Sequence, residues 1–122
     1  MSRYKKNIGD YGEIIAQKYL CNKNFFIIAK NFRNRFGEID IIAYDNLLKE
    51  IVFIEVKTRK SIFFGYPCES INIKKQNKIK NTALDFISRN YFENINFRFD
   101  VIEIILNNNL EINHIKDAFI FD

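Results

Sequence analysis

The sequence predicts one small α/β domain: a mixed β-sheet built as a three-strand meander, a crossover helix and further strands, with helices packed against it. Three observations lead there. Phe25–Phe32, Gly37–Ile42 and Ile51–Lys57 are short runs rich in β-branched and aromatic residues, parted by polar turns, as in consecutive antiparallel strands. Asn7–Asn22 and a stretch within Ile71–Tyr91 instead repeat apolar residues at three- and four-residue spacing, the pattern of amphipathic helices. About forty residues, including that second helix, then separate the third strand from an apolar run at Phe97–Leu106, which fits a right-handed crossover to a parallel neighbour.

Composition supports a single domain. The chain has 122 residues, 48% hydrophobic and 16% aromatic, enough for a core of its own. Thirteen Phe and no Trp leave most of the filling to Phe, and one Pro with four Gly argues against disorder and long linkers. The net charge of +4 points only faintly to a polyanion; its distribution says more. Between Lys57 and Lys80 stand Lys57, Arg59, Lys60, Lys74, Lys75, Lys78 and Lys80 against one acid, Glu69. Such a belt either holds phosphates or is the solvated surface of a lysine-rich chain. Cys21 and Cys68 fit no zinc spacing and read as reduced thiols in a cytoplasmic protein. There is no signal-like N-terminus and no apolar run near ~18 residues, so no membrane segment is expected.

The first helix carries Ile8, Tyr11, Gly12, Ile15, Ala16, Tyr19 and Leu20 as its apolar stripe. Gly12 on that stripe suggests close approach to the sheet. Glu13 lies about 100° further round, where it either leans over the sheet edge or is solvated. Phe25–Phe32 is apolar on both faces, and Asn31–Phe36 forms a basic turn whose Arg33 and Arg35 either meet phosphate or are ordinary surface arginines.

The next two strands form the central hairpin. Period-two alternation places Glu38, Asp40 and Ile42 on one face, and Phe53, Glu55 and Lys57 likewise. If the turn pairs Asp45 with Glu50, the same register sets Asp40 opposite Glu55 and Glu38 opposite Lys57, with Cβ atoms roughly 4.5–5.5 Å apart. Two carboxylates that close need a cation or a shared proton. Three readings compete: an ion network neutralised by Lys57, a divalent-metal site with Lys57 placed for chemistry, and solvated charges. The apolar Ile42, Ile51 and Phe53 on the same face speak against the third. The second would use hard oxygen donors, which suit Mg²⁺ or Mn²⁺ completed by water and phosphate oxygens.

Ser61–Glu69 is a loop marked by Gly65 and Pro67. Its Ile62, Phe63, Phe64 and Tyr66 could form a lid on the core, a dimer contact or a base-stacking surface. Ser70 or Asn72 caps the second helix, whose core face is Ile79, Ala83, Phe86, Ile87 and Asn90. Lys74, Lys75, Gln76 and Lys78 gather at its N-terminal end, where the helix dipole favours anions; they contact phosphate or are solvated. Arg98, Asp100 and Glu103 interrupt the apolar run of Phe97–Leu106. Leu110–Ile115 reads as an edge strand, His114 as structural or exposed, and Asp117–Asp122 as a tail returning its Phe residues to the sheet.

The hairpin resembles the core of PD-(D/E)xK nucleases, with Asp40 on one strand and Glu55-Val56-Lys57 on the next. The whole chain is similar to the YraN-like family, bacterial proteins related to archaeal Holliday-junction resolvases. The matching stretches are Gly12-Glu13, Asn31-Phe32-Arg33, Gly37-Glu38-Ile39-Asp40, Glu55-Val56-Lys57-Thr58-Arg59, Phe64-Gly65, Lys75-Gln76 with Lys78, Arg98-Phe99-Asp100-Val101 and Asp117-Ala118-Phe119. Ile39 stands where the naming Pro of the motif would be. The resemblance implies a restriction-endonuclease-like core that binds Mg²⁺ or Mn²⁺ through Asp40, Glu55 and the backbone of Val56. Glu13 would reach the metal from the helix, and Lys57 would orient or activate the attacking water. Arg33, Arg35, Arg59, Lys74, Lys75, Gln76 and Lys78 would hold the backbone of branched or structured DNA. A four-way junction would need a symmetric homodimer, since two like strands are cut. The alternatives are a nucleic-acid-binding protein that keeps the fold without cleavage, and a protein-interaction module built on the aromatic loop.

Overall fold

The computed structural model describes residues 3–59, 71–106 and 108–120, with side chains of the first helix described from residue 9. The elements are α1 (Arg3–Asn22), β1 (Phe25–Asn34), β2 (Gly37–Asp45), β3 (Glu50–Arg59), α2 (Ile73–Arg89), β4 (Asn96–Leu106) and β5 (Leu110–Phe119). The five strands form one sheet in the order β1-β2-β3-β4-β5. β3 and β4 are parallel and the other neighbours antiparallel, as meander, crossover helix and further strands require. This is an α/β architecture consistent with a restriction-endonuclease-like core. The expectations for Lys60, the aromatic loop, Cys68, Ser70, Ile8 and Phe121 lie outside the described residues or side chains. Among the described residues no helix is long and apolar enough to cross a membrane.

Each helix covers one face of the sheet. Ala16 and Leu20 of α1 bury against Ile41, Ala43, Val52, Ile54, Ile102 and Ile104. Ile79, Ala83 and Phe86 of α2 bury against Ile42, Phe53, Phe99 and Val101 on the other face. Gly12 is where α1 touches β3: a Cβ there would collide with the Thr58 side chain, so the close approach expected from the stripe is real. Tyr11, expected in the same stripe, is 55% exposed. With backbone contact made at Gly12 itself, its neighbour turns to solvent. Asn90 is likewise not a core residue. It is the exposed C-cap of α2, and its Nδ2 donates to Phe86 O at 2.7 Å. Asn72 is the N-cap, accepting from Lys75 N. β1 lies at the sheet edge, so its outward Phe26 and Ile28 are exposed despite the apolar run.

The hairpin register is the one read from the turn. Asp45 pairs with Glu50, and the pairing runs to Ile41–Ile54. There it stops, one step before Asp40 and Glu55. Ile39 and Ile42 both pack on the α2 side while Ile41 packs on the α1 side, so strict alternation is interrupted next to Asp40. Glu38, Asp40 and Ile42 still look to the α2 side, as the alternation predicts; it is Ile39 that departs from it. Across β1 the break falls at Asn31, whose φ of +51° is a left-handed kink within the strand. Glu38 pairs with Arg33 instead of Lys57, and Lys57 pairs with Glu103 of β4.

Candidate active site

The break in the ladder makes the site. Released from pairing, Asp40 turns its own carboxylate onto β3, where Oδ2 accepts the Val56 N–H at 2.8 Å. Glu55 sits beside it with a side chain 10% exposed, and Lys75 Nζ lies 3.1 Å from Glu55 Oε1. Lys75 stands in the first turn of α2, and its N–H is held by the Asn72 cap at 2.9 Å. Lys57, two residues along β3 from Glu55 and thus on the same face, lies close to Lys75, so that two amines compete for the same carboxylates. From the other face of the sheet, Glu13 of α1 leans toward Asp40, close enough for the two carboxyls to raise one another. The solvated reading of Glu13 gives way to the leaning one.

Electrostatics mark this cluster as short of positive charge. Burial, then the charge of Asp40, pushes the Glu55 carboxyl up to about 7. Burial, then Asp40, Asp10 and Glu38, pushes Glu13 up to about 7 as well. Burial also raises Asp40, against the pull of the Val56 N–H and of Lys75. Burial, then the nearness and charge of Lys75, brings Lys57 down to about 8. Lys75 stays above its usual value: burial opposes its charge, but the neighbouring Lys57, which yields its proton first, and the Glu55 carboxylate outweigh it. Carboxyls that resist ionising together are relieved by a proton or by a cation. Their hard oxygens fit Mg²⁺ or Mn²⁺. Among the described residues no group of three His, Cys, Asp or Glu forms a ready metal cage, so water and phosphate would have to complete any coordination.

A groove of about 210 Å³ opens on the pair, lined by Gly37, Glu38, Asp40, Glu55, Lys75, Lys78 and Ile79. Past Gly37, Glu38 and Lys78 it runs on into a shallower hollow of about 440 Å³ beside Arg33, Arg35 and Phe36. The fold thus brings Arg33, Arg35, Lys75 and Lys78 to one channel beside the carboxylates. Arg33 lies 3.3 Å from Glu38, an exposed pair of small energetic weight. Arg35 lies over the Phe36 ring at 4.7 Å. Of the other basic-belt residues, Lys74 is exposed on α2, and Gln76 Nε2 is committed to Ile71 O at 3.0 Å. Arg59 does not line the groove. Its side chain is 11% exposed, with Nε 2.9 Å from Glu103 Oε2, a charge contact without hydrogen-bond alignment at that oxygen.

A second polar cluster, not foreseen from the sequence, lies at the turn end of the hairpin. Arg98, buried in β4, meets Asp45 at 2.9 Å, Glu50 at 2.8 Å and Asp100 at 3.0 Å. Asp100 also takes His114 Nε2 at 2.7 Å and the Asp117 N–H at 3.1 Å, and His114 Nδ1 meets Tyr19 OH at 2.9 Å. Burial works against the Asp100 charge, yet the His114 and Arg98 bonds hold its carboxyl below the usual range. His114 is therefore a structural residue. The signal in the sequence was an arginine and an aspartate two apart in an apolar strand: both face one side, which only a buried network can accommodate.

The chain has close relatives. A family model described as "Uncharacterised protein family UPF0102" matches residues 12–104. A UPF0102 protein of Clostridium novyi (strain NT) is 50% identical over 122 residues, covering 98% of this chain and all of the relative. One from Clostridioides difficile (strain 630) is 50% identical over 116 residues, covering 93% and 97% of the two chains. One from Alkaliphilus metalliredigens (strain QYMF) is 43% identical over 114 residues, covering 93% and 98%.

Proposed function

This chain belongs to the UPF0102 family, and we propose that it is a metal-dependent endonuclease of the PD-(D/E)xK superfamily, acting on branched or otherwise structured DNA. The observation that carries the reading is Asp40 beside Glu55 in a groove whose continuation is basic, with Glu13 and Lys57 near enough to perturb and be perturbed by the pair.

Asp40 and Glu55 are the side chains that would hold Mg²⁺ or Mn²⁺, with the Val56 backbone and Glu13 nearby. When bound, the ion would lower the pKa of a water and offset charge on the phosphoryl group. The chain's own residues do the rest. The Val56 N–H fixes the Asp40 carboxylate, so one oxygen is held and the other is left to bind. Lys57, with its pKa brought down to about 8, gives up or takes a proton far more readily than a surface lysine and suits orienting or activating the attacking water. Lys78, Arg33 and Arg35 hold phosphates along the groove without reading sequence. A four-way junction would engage two copies of the chain, one per cut strand.

A second reading, a DNA-binding protein without cleavage, draws on the Lys75–Glu55 ion pair, which already offsets part of the negative charge. Incubating the purified protein with labelled four-way junction, flap, single-stranded and linear duplex DNA separates the two. With Mg²⁺ or Mn²⁺ at least one branched substrate is cut, and EDTA abolishes the cut. Salt-sensitive binding with no cut in any lane selects the second reading.

A further inference from the structure

Lys75 occupies a place that the proposed activity leaves unexplained. Its ammonium sits 3.1 Å from Glu55 Oε1, directly on a carboxylate proposed to receive the metal. A divalent cation bound by Glu55 competes with it for the carboxylate charge and repels it at that distance, which drives the ammonium off. Its side chain is held by charge rather than by enclosure. The backbone of Lys75 is held by the Asn72 cap, but the side chain is 40% exposed, against 10% for Glu55. A lysine of this kind is a charge on a long flexible stem, free to swing from its Cα. The groove that Lys75 lines also holds Lys78, one turn further along α2, and leads to Arg33 and Arg35, so a short swing along it reaches the phosphate path.

We propose, building on the nuclease reading, that Lys75 is a stand-in cation: in the metal-free protein it neutralises Glu55, and on metal binding it moves to a phosphate oxygen of the DNA backbone beside the cut. The first half keeps the acidic pair from repelling itself apart while the site is vacant. The second half makes metal and DNA binding cooperative, since the ion releases a phosphate ligand that was otherwise engaged. The exchange also takes the Lys75 charge away from the neighbouring Lys57 amine. Lys75 would thus be a positioning residue that reports occupancy of the site to the DNA groove.

The test is Mn²⁺ titration of the full-length protein without DNA, followed calorimetrically, for wild type, Lys75→Met, Lys75→Gln and Lys78→Met. Removing the competitor tightens Mn²⁺ binding about tenfold in both Lys75 variants, whereas Lys78→Met, which removes a like charge from the groove but no partner from Glu55, stays near wild type. A parallel measurement uses Ca²⁺ with uncut junction DNA. Lys75→Met weakens DNA binding when Ca²⁺ is present and leaves it unchanged in EDTA. Wild-type binding of Mn²⁺ that is lost in Asp40→Ala but equal in wild type and both Lys75 variants overturns the stand-in role and leaves the nuclease reading intact. Absence of Mn²⁺ binding in every protein overturns both.

Discussion

Gly12 sets how near α1 can come to β3, since any Cβ there runs into Thr58 Oγ1. Gly12→Ala should cost about 1–3 kcal/mol by overpacking. Thr58→Ala in the same chain should recover much of the loss, a coupling that denaturant titration of the double-mutant cycle will read. Asp40 and its neighbours make a prediction about pH. Burial and the nearby Asp40 charge push the Glu13 and Glu55 carboxyls of the metal-free protein up to about 7 from an ordinary 4.5, and burial raises Asp40 too. The folded state therefore holds more protons than the unfolded one between about 4.5 and 7, and stability falls as pH rises through that window. Asp45 and Asp100 are lowered, so they stabilise above pH ~4 and lose that contribution on further acidification. Thermal melts in EDTA should peak near pH ~5 and decline toward pH ~8, with a shallower decline in Asp40→Ala, which removes the carboxylate that repels the other two.

At the scale of elements, the register of the hairpin was legible and its failure at Asp40 was not. The polar turn between two apolar runs sufficed to pair Asp45 with Glu50. Nothing in the alternation announces that Asn31 adopts a positive φ, and it is opposite this kink that Asp40 leaves the ladder for Val56. Asp40 beside Glu55 was thus legible in the sequence as a candidate metal pair, whereas the turn of Asp40 onto the Val56 N–H was not. The parallel β3–β4 pair was legible because its connection is too long for a hairpin. The full length of β5 was hidden for the opposite reason. Asp117 has a φ of +52° and looks like a strand end, yet its N–H is bonded to buried Asp100 and the strand continues to Phe119, which stacks on Phe99 at 4.8 Å. Arg98, Asp100 and His114 then serve the sheet rather than the chemistry. Asp100→Ala removes an acid partner from buried Arg98 and should cost about 3–5 kcal/mol by denaturant titration, while the metal-dependent properties of the folded fraction persist.

Over the whole molecule, charge is divided between an acidic cleft and the basic channel leading from it. That division was visible in the chain as a lysine-rich stretch following an acidic hairpin, but which members act together was not. The folded sheet draws Arg33 and Arg35 to Lys78, far away in sequence, and withdraws Arg59 to Glu103. Lys78→Ala and Arg35→Ala should weaken DNA binding across sequences and each lower the salt slope of log K by about 1, whereas Lys30→Ala on the outer edge strand should not. The measurement that bears most directly on the account is cleavage of a labelled four-way junction in Mg²⁺ with enzyme in excess, wild type against Asp40→Ala at concentrations that bind the DNA equally. Wild type cuts, and Asp40→Ala is slower by at least about a hundredfold while still binding. Equal rates in the two proteins, or no cut by wild type, would contradict the assignment of this cluster as a nuclease centre.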